Sequence, residues 1–69
     1  MSRVAFTANG KPRQAAYGSS IAEVLGDFGL DPALVVVEYN GEPLDRARFA
    51  TTGVRDGDRI EIAQMVGGG

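Results

Sequence analysis

Residues 17–30, YGSSIAEVLGDFGL, contain the pattern that decides the fold. Four apolar residues recur there at the spacing of a single helical face: Ile21, Val24, Leu25 and Phe28. Ser20 and Glu23 have the spacing of a capping box, in which each side chain bonds the other residue's backbone N–H. Gly29 is placed to end the helix as the residue after its cap. The stretch therefore predicts one amphipathic helix.

Before the helix, the sequence indicates a β-hairpin. The segment RVAFT (3–7) alternates, with Val4 and Phe6 on one face, as expected of a half-buried strand. An Asn-Gly dipeptide follows at positions 9–10, and this pair favours a type I′ turn because both residues tolerate a positive φ. We expect the return strand at about 13–17.

After the helix, DPAL (31–34) indicates a turn and VVVEY (35–39) a β-branched strand. A second Asn-Gly dipeptide at 40–41 predicts another hairpin turn. A short strand around 43–44 can pair back, and Pro43 confines it to a sheet edge because proline has no N–H to donate.

The remaining residues supply one more strand. A single helical turn within DRARFATTGV (45–54) would send Phe49 into the core, and RDGD (55–58) indicates a turn. RIEIAQM (59–65) follows as the last strand, with Ile60 and Ile62 facing inward. The predicted order β-β-α-β-β-β gives an α+β domain, a mixed sheet packed on one helix. We expect one domain at 1–66 and a flexible glycine tail at 67–69.

Composition excludes several classes of site. The 69 residues include no cysteine and no histidine, so thiolate metal sites, disulfides and histidine acid–base chemistry are excluded. Asp56 and Asp58 are too few for a metal site, and Ser19 and Ser20 have no histidine to activate them. We therefore predict no catalytic residue, no metal and no bound cofactor.

Charge and hydropathy bear on partners and location. The net charge is −2 and the seven basic residues are scattered, which argues against nucleic acid. No apolar run approaches the ~18 residues of a membrane span, and residues 1–10 lack the apolar segment of a signal peptide. These features predict a cytoplasmic protein that binds other proteins and neither membranes nor nucleic acid.

The sequence closes on Gly67, Gly68 and Gly69. By composition alone, three glycines are as consistent with a frayed terminus as with a functional tail. Their position directly after the last strand favours the second interpretation. From Val66 to Gly69 the chain reaches about 13 Å, at ~3.3 Å per residue, and a stalk without Cβ atoms can enter a narrow tunnel. Such a tail suits a carboxylate on Gly69 that another enzyme activates, with Gly67 and Gly68 threading into that enzyme.

A docking surface for that enzyme is predicted at the root of the tail. Alternation turns Val35, Val37 and Tyr39 inward and leaves the residues between them outward. If the strands at 35–39 and 59–65 are neighbours, their outward residues form an apolar patch with an acidic edge. The predicted docking residues are Val36, Glu38, Glu61, Ala63, Met65 and Val66. Isolated surface apolar residues are also ordinary, so this alternative stays open.

These features together resemble the ubiquitin-like β-grasp fold, whose activated members end in Gly-Gly. More narrowly, residues 35–69 are similar to the thiamine-pathway sulfur carriers, the ThiS family. The motifs that carry the resemblance are VVVE (35–38), NGE (40–42), Arg46, DGD (56–58), IEI (60–62) and the closing VGGG. Before residue 35 the hairpin, GSSIAEVL (18–25) and the length agree more loosely. Met65 stands where the family has an aromatic residue and Phe49 where a tryptophan is expected; both remain apolar.

The resemblance implies a carrier protein rather than an enzyme. An ATP-dependent, ubiquitin-activating-like (E1-like) enzyme of the ThiF or MoeB type would adenylate the Gly69 carboxylate, using ATP and Mg. A persulfide, supplied indirectly by a cysteine desulfurase, would convert it to a thiocarboxylate. A thiazole synthase of the ThiG type would then take the sulfur for the thiazole ring of thiamine.

Other functions are compatible with the same tail. One is a sulfur carrier of another pathway, such as the small subunit of molybdopterin synthase or a carrier for cysteine or tRNA thiolation. Another is a ubiquitin-like modifier whose tail forms isopeptide bonds to lysines, and a third is an interaction module with an inert tail.

Overall fold

A computed structural model describes residues 2–65, which form a five-stranded mixed sheet and one α-helix. The strands are β1 (Arg3–Ala8), β2 (Lys11–Ala16), β3 (Val35–Tyr39), β4 (Glu42–Leu44) and β5 (Arg59–Gln64), and the helix is α1 (Ile21–Asp27). The sheet order is β2-β1-β5-β3-β4, in which β1 and β5 are parallel and all other neighbours antiparallel. The predicted α+β class and element order are confirmed.

Local signals fix both ends of α1. The Glu23 N–H donates to Ser20 Oγ at 3.1 Å, and the Ser20 N–H donates to Glu23 Oε1 at 2.9 Å, so the predicted capping box is present. At the other end Phe28 is the cap, and Gly29 follows with φ +74°. The Leu30 N–H then donates to the Leu25 carbonyl at 2.9 Å, which closes the helix in a Schellman motif.

Four strands differ from prediction by one or two residues. β1 ends at Ala8 rather than at 7, and β5 ends at Gln64 rather than at 65. β2 begins at Lys11 and ends at Ala16, where 13–17 was expected. The reason is that a two-residue turn pairs Ala8 directly with Lys11, so the return strand starts as soon as the turn ends. Tyr17 lies past the strand and is 77% exposed. The edge strand β4 starts at Glu42, one residue before the predicted 43–44, for the same reason.

The core lies between the sheet and α1. The helix contributes Ile21, Val24 and Leu25, each at most 2% exposed. The sheet contributes mainly Val4, Phe6, Val35, Val37 and Ile60. A 3₁₀ turn at Arg46–Arg48 delivers Phe49 into the core, as predicted. Ile62 also faces inward but remains half-buried at the end of the sheet. Within residues 2–65, no helix is both long and apolar enough to cross a membrane.

Candidate docking surface at the root of the tail

The strands that carry the predicted docking residues are neighbours in the sheet. β3 and β5 pair antiparallel, with Val36 directly opposite Ala63 and Glu38 directly opposite Glu61. Directly opposite residues of an antiparallel pair lie on the same face of the sheet. The alternate residues Val35 and Val37 are 1% exposed against the core, so the four docking residues share the face away from α1. The two strands are therefore neighbours, as the predicted patch required.

An exposed apolar patch lies on this face. Val36 is 51% exposed and Met65 is 46% exposed, although both are large apolar side chains. Leu34, 54% exposed, lies beside them because its carbonyl accepts a hydrogen bond from the Met65 N–H at 2.8 Å. We call the set Leu34, Val36, Ala63 and Met65 the outer apolar patch. Three of the four strongly exposed large apolar residues between 2 and 65 belong to it, and Tyr17 is the other.

Leu34 is the member of the patch that sequence reasoning missed. The segment 31–34 forms the predicted turn, a 3₁₀ turn at Pro32–Leu34 that is capped by Asp31. Strand alternation carried back from Val36 to Leu34 was the available signal. The Arg46 guanidinium fixes this junction by donating to the Pro32 carbonyl at 2.8 Å and to the Val35 carbonyl at 3.3 Å.

The patch has an acidic edge. Glu38 and Glu61 are both exposed and directly opposite one another, an arrangement in which like charges repel. Packing does not require this pair, since neither side chain is buried. An apolar patch beside two carboxylates is complementary to a partner surface with an apolar centre and a basic rim.

The predicted tail residues lie outside the described part of the chain. Val66, Gly67, Gly68 and Gly69 follow directly on Met65, the last described residue, which belongs to the outer apolar patch. Their assigned roles in docking, threading and modification therefore stay predictions.

The acidic pair in RDGD is structural. Asp56 Oδ1 accepts the Ala5 N–H at 2.7 Å, which fastens the turn to β1. Asp58 is 8% exposed and accepts from the Arg55 N–H at 2.7 Å and from the Tyr39 hydroxyl at 2.5 Å. Burial, followed by the bond to Asp58 and its charge, raises the pKa of Tyr39 to about 12. The predicted turn is present, but the burial of Asp58 was not anticipated.

Candidate metal ligands do not converge in the part of the chain that the structure describes. No three acidic side chains between residues 2 and 65 gather closely enough to hold an ion. Two surface clefts lie beside β2, at the opposite edge of the sheet from β4.

A mixed sheet of order β2-β1-β5-β3-β4 that packs on one helix defines the ubiquitin-like β-grasp class. Residues 6–69 match the model of the ThiS family, and the chain belongs to that family.

Two solved structures agree with this assignment. A crystal structure of the thiamine biosynthesis protein (ThiS) from Geobacter metallireducens superposes with a TM-score of 0.81 at 38% identity, covering 96% of this chain and all of that one. A solution NMR structure of a thiamine biosynthesis protein from the same organism gives 0.77, also at 38% identity, covering 96% of this chain and 88% of that one.

Two curated relatives are called thiazole synthase. They come from Paramagnetospirillum magneticum (36% identical) and Magnetococcus marinus (31% identical), each over 61 residues. The alignment takes in 88% of this chain and 19% of each synthase, so the chain spans about a fifth of their length.

Proposed function

We propose that this chain is a sulfur carrier of thiamine biosynthesis that acts as a co-substrate of other enzymes rather than as a catalyst. The observation that carries the proposal is the family match, which runs through the closing glycines to Gly69. It favours the thiamine pathway over molybdopterin synthesis, cysteine or tRNA thiolation and protein modification.

The chemistry explains why a carrier of this kind needs no catalytic groups of its own. A carboxylate is a poor acyl electrophile until its oxygen becomes part of a good leaving group. An activating enzyme with ATP and Mg transfers AMP to the Gly69 carboxylate and releases pyrophosphate. A persulfide sulfur then displaces AMP, and a thiol cleaves the resulting S–S bond to leave the thiocarboxylate. The chain contributes the acyl group and a surface by which it is held.

Thiazole synthase is the proposed acceptor of the sulfur. Support comes from the two relatives with that name, in which a segment similar to this chain occupies about 19% of the length. A carrier and its acceptor that are joined in one chain meet at a high effective concentration, which favours proteins that act in succession. Cysteine desulfurase enters only as the indirect source of the persulfide.

The outer apolar patch is the proposed docking surface for the activating enzyme. It lies at the end of β5, where a partner must grip the domain to guide Gly69 into its active site. Ala63 lies opposite Val36 and is exposed, so Ala63→Asp puts a charge into the patch without burying one in the core. We expect affinity to fall by about tenfold, which corresponds to ~1.4 kcal/mol.

The matched control is Ala50→Asp, which makes the same change at an exposed position away from β5. Calorimetric affinity and a thermal melt are measured for both variants. Equal affinities with unchanged melts would remove this face from the docking surface, and a collapsed melt for Ala63→Asp would contradict its outward orientation.

Mass spectrometry tests the carrier function itself. The purified chain is incubated with the activating enzyme, ATP, Mg and a persulfide donor. We expect the mass gain of one oxygen-to-sulfur exchange, and no gain after deletion of Gly68 and Gly69, with an unchanged melt in the deletion variant. A ladder of larger adducts on lysines would instead identify a protein modifier.

A further inference from the structure

The last described residues of β5 are held from one side of the sheet. The pairing of β1 with β5 covers two positions, and the Asn9 side chain extends it by one step to the N–H and carbonyl of Ile62. Beyond Ile62, the hydrogen bonds of β5 among the described residues go to the β3 side. The last of them joins the Met65 N–H to the Leu34 carbonyl at 2.8 Å. The position of Met65 therefore depends on the position of Leu34.

Leu34 lies beside a part of β3 that β4 does not cover. β4 ends at Leu44, opposite Val37, whereas β3 begins two residues earlier at Val35. Positions 34, 36 and 38 bond towards β5, so positions 35, 37 and 39 direct their backbone groups towards β4. The Val35 carbonyl therefore points to the sheet edge beyond the end of β4.

The Arg46 guanidinium supplies the hydrogen-bond donors at this edge. Its Nε donates to the Pro32 carbonyl at 2.8 Å, and a terminal nitrogen donates to the Val35 carbonyl at 3.3 Å. One planar group thus bridges the backbone on both sides of Leu34. The fork of a guanidinium suits two acceptors at once, whereas a lysine ammonium is a compact point charge.

We propose that Arg46 is a positioning residue for the activation of Gly69, and that it acts through Leu34 and Met65. The inference rests on the carrier function proposed above. Arg46 fixes the backbone around Leu34, the Leu34 carbonyl holds the Met65 N–H, and the four residues that end in the carboxylate follow directly. Arg46 is a member of neither the outer apolar patch nor the tail.

The length of the tail makes the position of its root important. Four residues span about 13 Å when extended, at ~3.3 Å per residue, so an extended tail has no slack that could absorb a shift of Met65. Reacting atoms must approach to about 3–3.5 Å in the right alignment, and a displacement of about 1 Å can lower a rate about a hundredfold. Arg46 is therefore expected to act on turnover in the bound complex rather than on affinity.

The kinetic test compares Arg46→Gln with Arg48→Gln, which makes the same change at an exposed residue of the same 3₁₀ turn. The activating enzyme is in saturating excess, and pyrophosphate release is followed in a single turnover. Release should slow by about tenfold or more for Arg46→Gln and keep the parent rate for Arg48→Gln. Calorimetric affinity should stay within about threefold of the parent for both. Ala63→Asp should do the opposite, with weakened affinity and the parent rate at saturation.

Hydrogen exchange in the ¹⁵N-labelled full-length chain tests the structural link without any enzyme. In Arg46→Gln the Met65 amide should exchange about tenfold faster, whereas the Ile62 amide, which Asn9 holds, should keep the parent rate. The two proposals fail in different ways. A parent chain that is never adenylated would refute the carrier function, whereas an unchanged Met65 amide would refute the role of Arg46 alone.

A further variant, Arg46→Lys, keeps the charge and loses the fork, so it should be as slow as Arg46→Gln. The parent rate in either variant would overturn the proposal. So would equal slowing in Arg48→Gln, or a loss of affinity large enough to account for the slow rate.

A second route to the same junction keeps the test decisive if Arg46→Gln unfolds at the assay temperature. Asp31→Ala removes the acceptor of the Ala33 N–H, a bond of 2.9 Å within the 3₁₀ turn that contains Leu34. It should slow pyrophosphate release by a smaller factor than Arg46→Gln does. An Asp31→Ala chain that exchanges its Met65 amide faster but turns over at the parent rate would overturn the proposal.

Discussion

The two Asn-Gly turns have the same sequence and nearly the same backbone, yet their side chains serve different parts of the molecule. Asn9 and Asn40 have φ values of 52° and 54°, and the glycines after them have 80° and 88°. In both turns the asparagine N–H bonds a carbonyl of β5, that of Ile60 for Asn9 and that of Arg59 for Asn40. The central strand β5 is therefore hydrogen-bonded to a turn on each side, the one after β1 and the one after β3.

The difference lies in what each amide side chain contacts. Asn9 bonds Ile62 through both groups, accepting from its N–H at 2.7 Å and donating to its carbonyl at 3.0 Å. It continues the short parallel pairing of β1 with β5 by one step. Asn40 accepts from the Arg59 N–H at 2.8 Å and donates to the buried Asp58 carboxylate at 3.1 Å. One turn extends a ladder, and the other completes a polar cluster.

The largest effect is expected from removal of the carboxylate at the centre of that cluster. Asp58→Ala leaves the Asn40 amide and the Arg55 N–H without this acceptor. The Tyr39 hydroxyl keeps only the Gly53 carbonyl, at 3.1 Å. We expect the free energy of unfolding to fall by about 3 kcal/mol in urea denaturation. Asp56→Ala, which removes one bond at an exposed site, is the control and should cost about 1 kcal/mol. Similar losses for the two variants would show that burial adds nothing at position 58.

Removal of the tyrosine hydroxyl should cost less. Tyr39→Phe is expected to lower the free energy of unfolding by about 2 kcal/mol, the range for a hydrogen bond to a charged group. The Asn40 amide and the Arg55 N–H still satisfy Asp58 in this variant. A loss equal to that of Asp58→Ala would assign the whole energy of the cluster to the contacts of this hydroxyl with Asp58 and Gly53.

The same residue predicts a dependence on pH. In the folded protein the pKa of Tyr39 is raised to about 12, whereas the unfolded chain releases this proton near 10. The contribution to stability is therefore complete below pH ~10 and is lost as pH rises towards ~12. Urea denaturation across this window should show a steeper decline for the parent than for Tyr39→Phe. Parallel curves would contradict the raised pKa.

The two turns can then be compared directly. Asn40→Gly keeps the positive φ that glycine adopts freely and removes only the side chain, with an expected loss of about 1.5 kcal/mol. The charged acceptor Asp58 makes this bond stronger than a neutral one. Thermal melts report the change, and the Asp58→Ala background should largely cancel it.

Asn9→Gly is expected to have the smallest effect, about 1 kcal/mol, because its two bonds are neutral and exposed. Hydrogen exchange at the Ile62 amide should rise at the same time, since that N–H loses its acceptor. A greater loss for Asn9→Gly than for Asn40→Gly would reverse the comparison between the turns.

The features that sequence reasoning predicted correctly depend on residues that are close together in the sequence. The capping box of Ser20 and Glu23, the Gly29 terminus and both turns each depend on neighbours along the chain. The side-chain bonds of Asn9 join residues 53 positions apart in sequence. The bonds that bury Asp58 join it to residues 18 and 19 positions earlier, at the end of the neighbouring strand β3. They follow from the register of β5 with its neighbours, which no local pattern specifies.

The predicted docking residues lie between these two cases, because a local pattern assigns their face and a distant pairing brings them together. Alternation assigned Val36, Ala63 and Met65 to one face, and the structure adds only the strand pairing that joins them. Leu34 escapes the prediction because DPAL indicates a turn, although the Leu34 carbonyl continues the pairing of β3 with β5 by accepting the Met65 N–H. Three of the four residues of the outer apolar patch can be predicted from alternation, while the fourth depends on how the flanking turn is folded.

The central position of β5 has a consequence for the order of folding. β1 with β2 and β3 with β4 are local hairpins that close over two residues, and no pairing joins them except through β5. Hairpins form in about 1–10 μs, whereas strand pairings distant in sequence slow the folding of a whole domain to milliseconds or longer. We expect insertion of β5 to limit the folding rate, so the strand that leads to the glycines is also the last piece to dock. A nascent chain would then become recognisable to its partners only after residues 59–64 had left the ribosome.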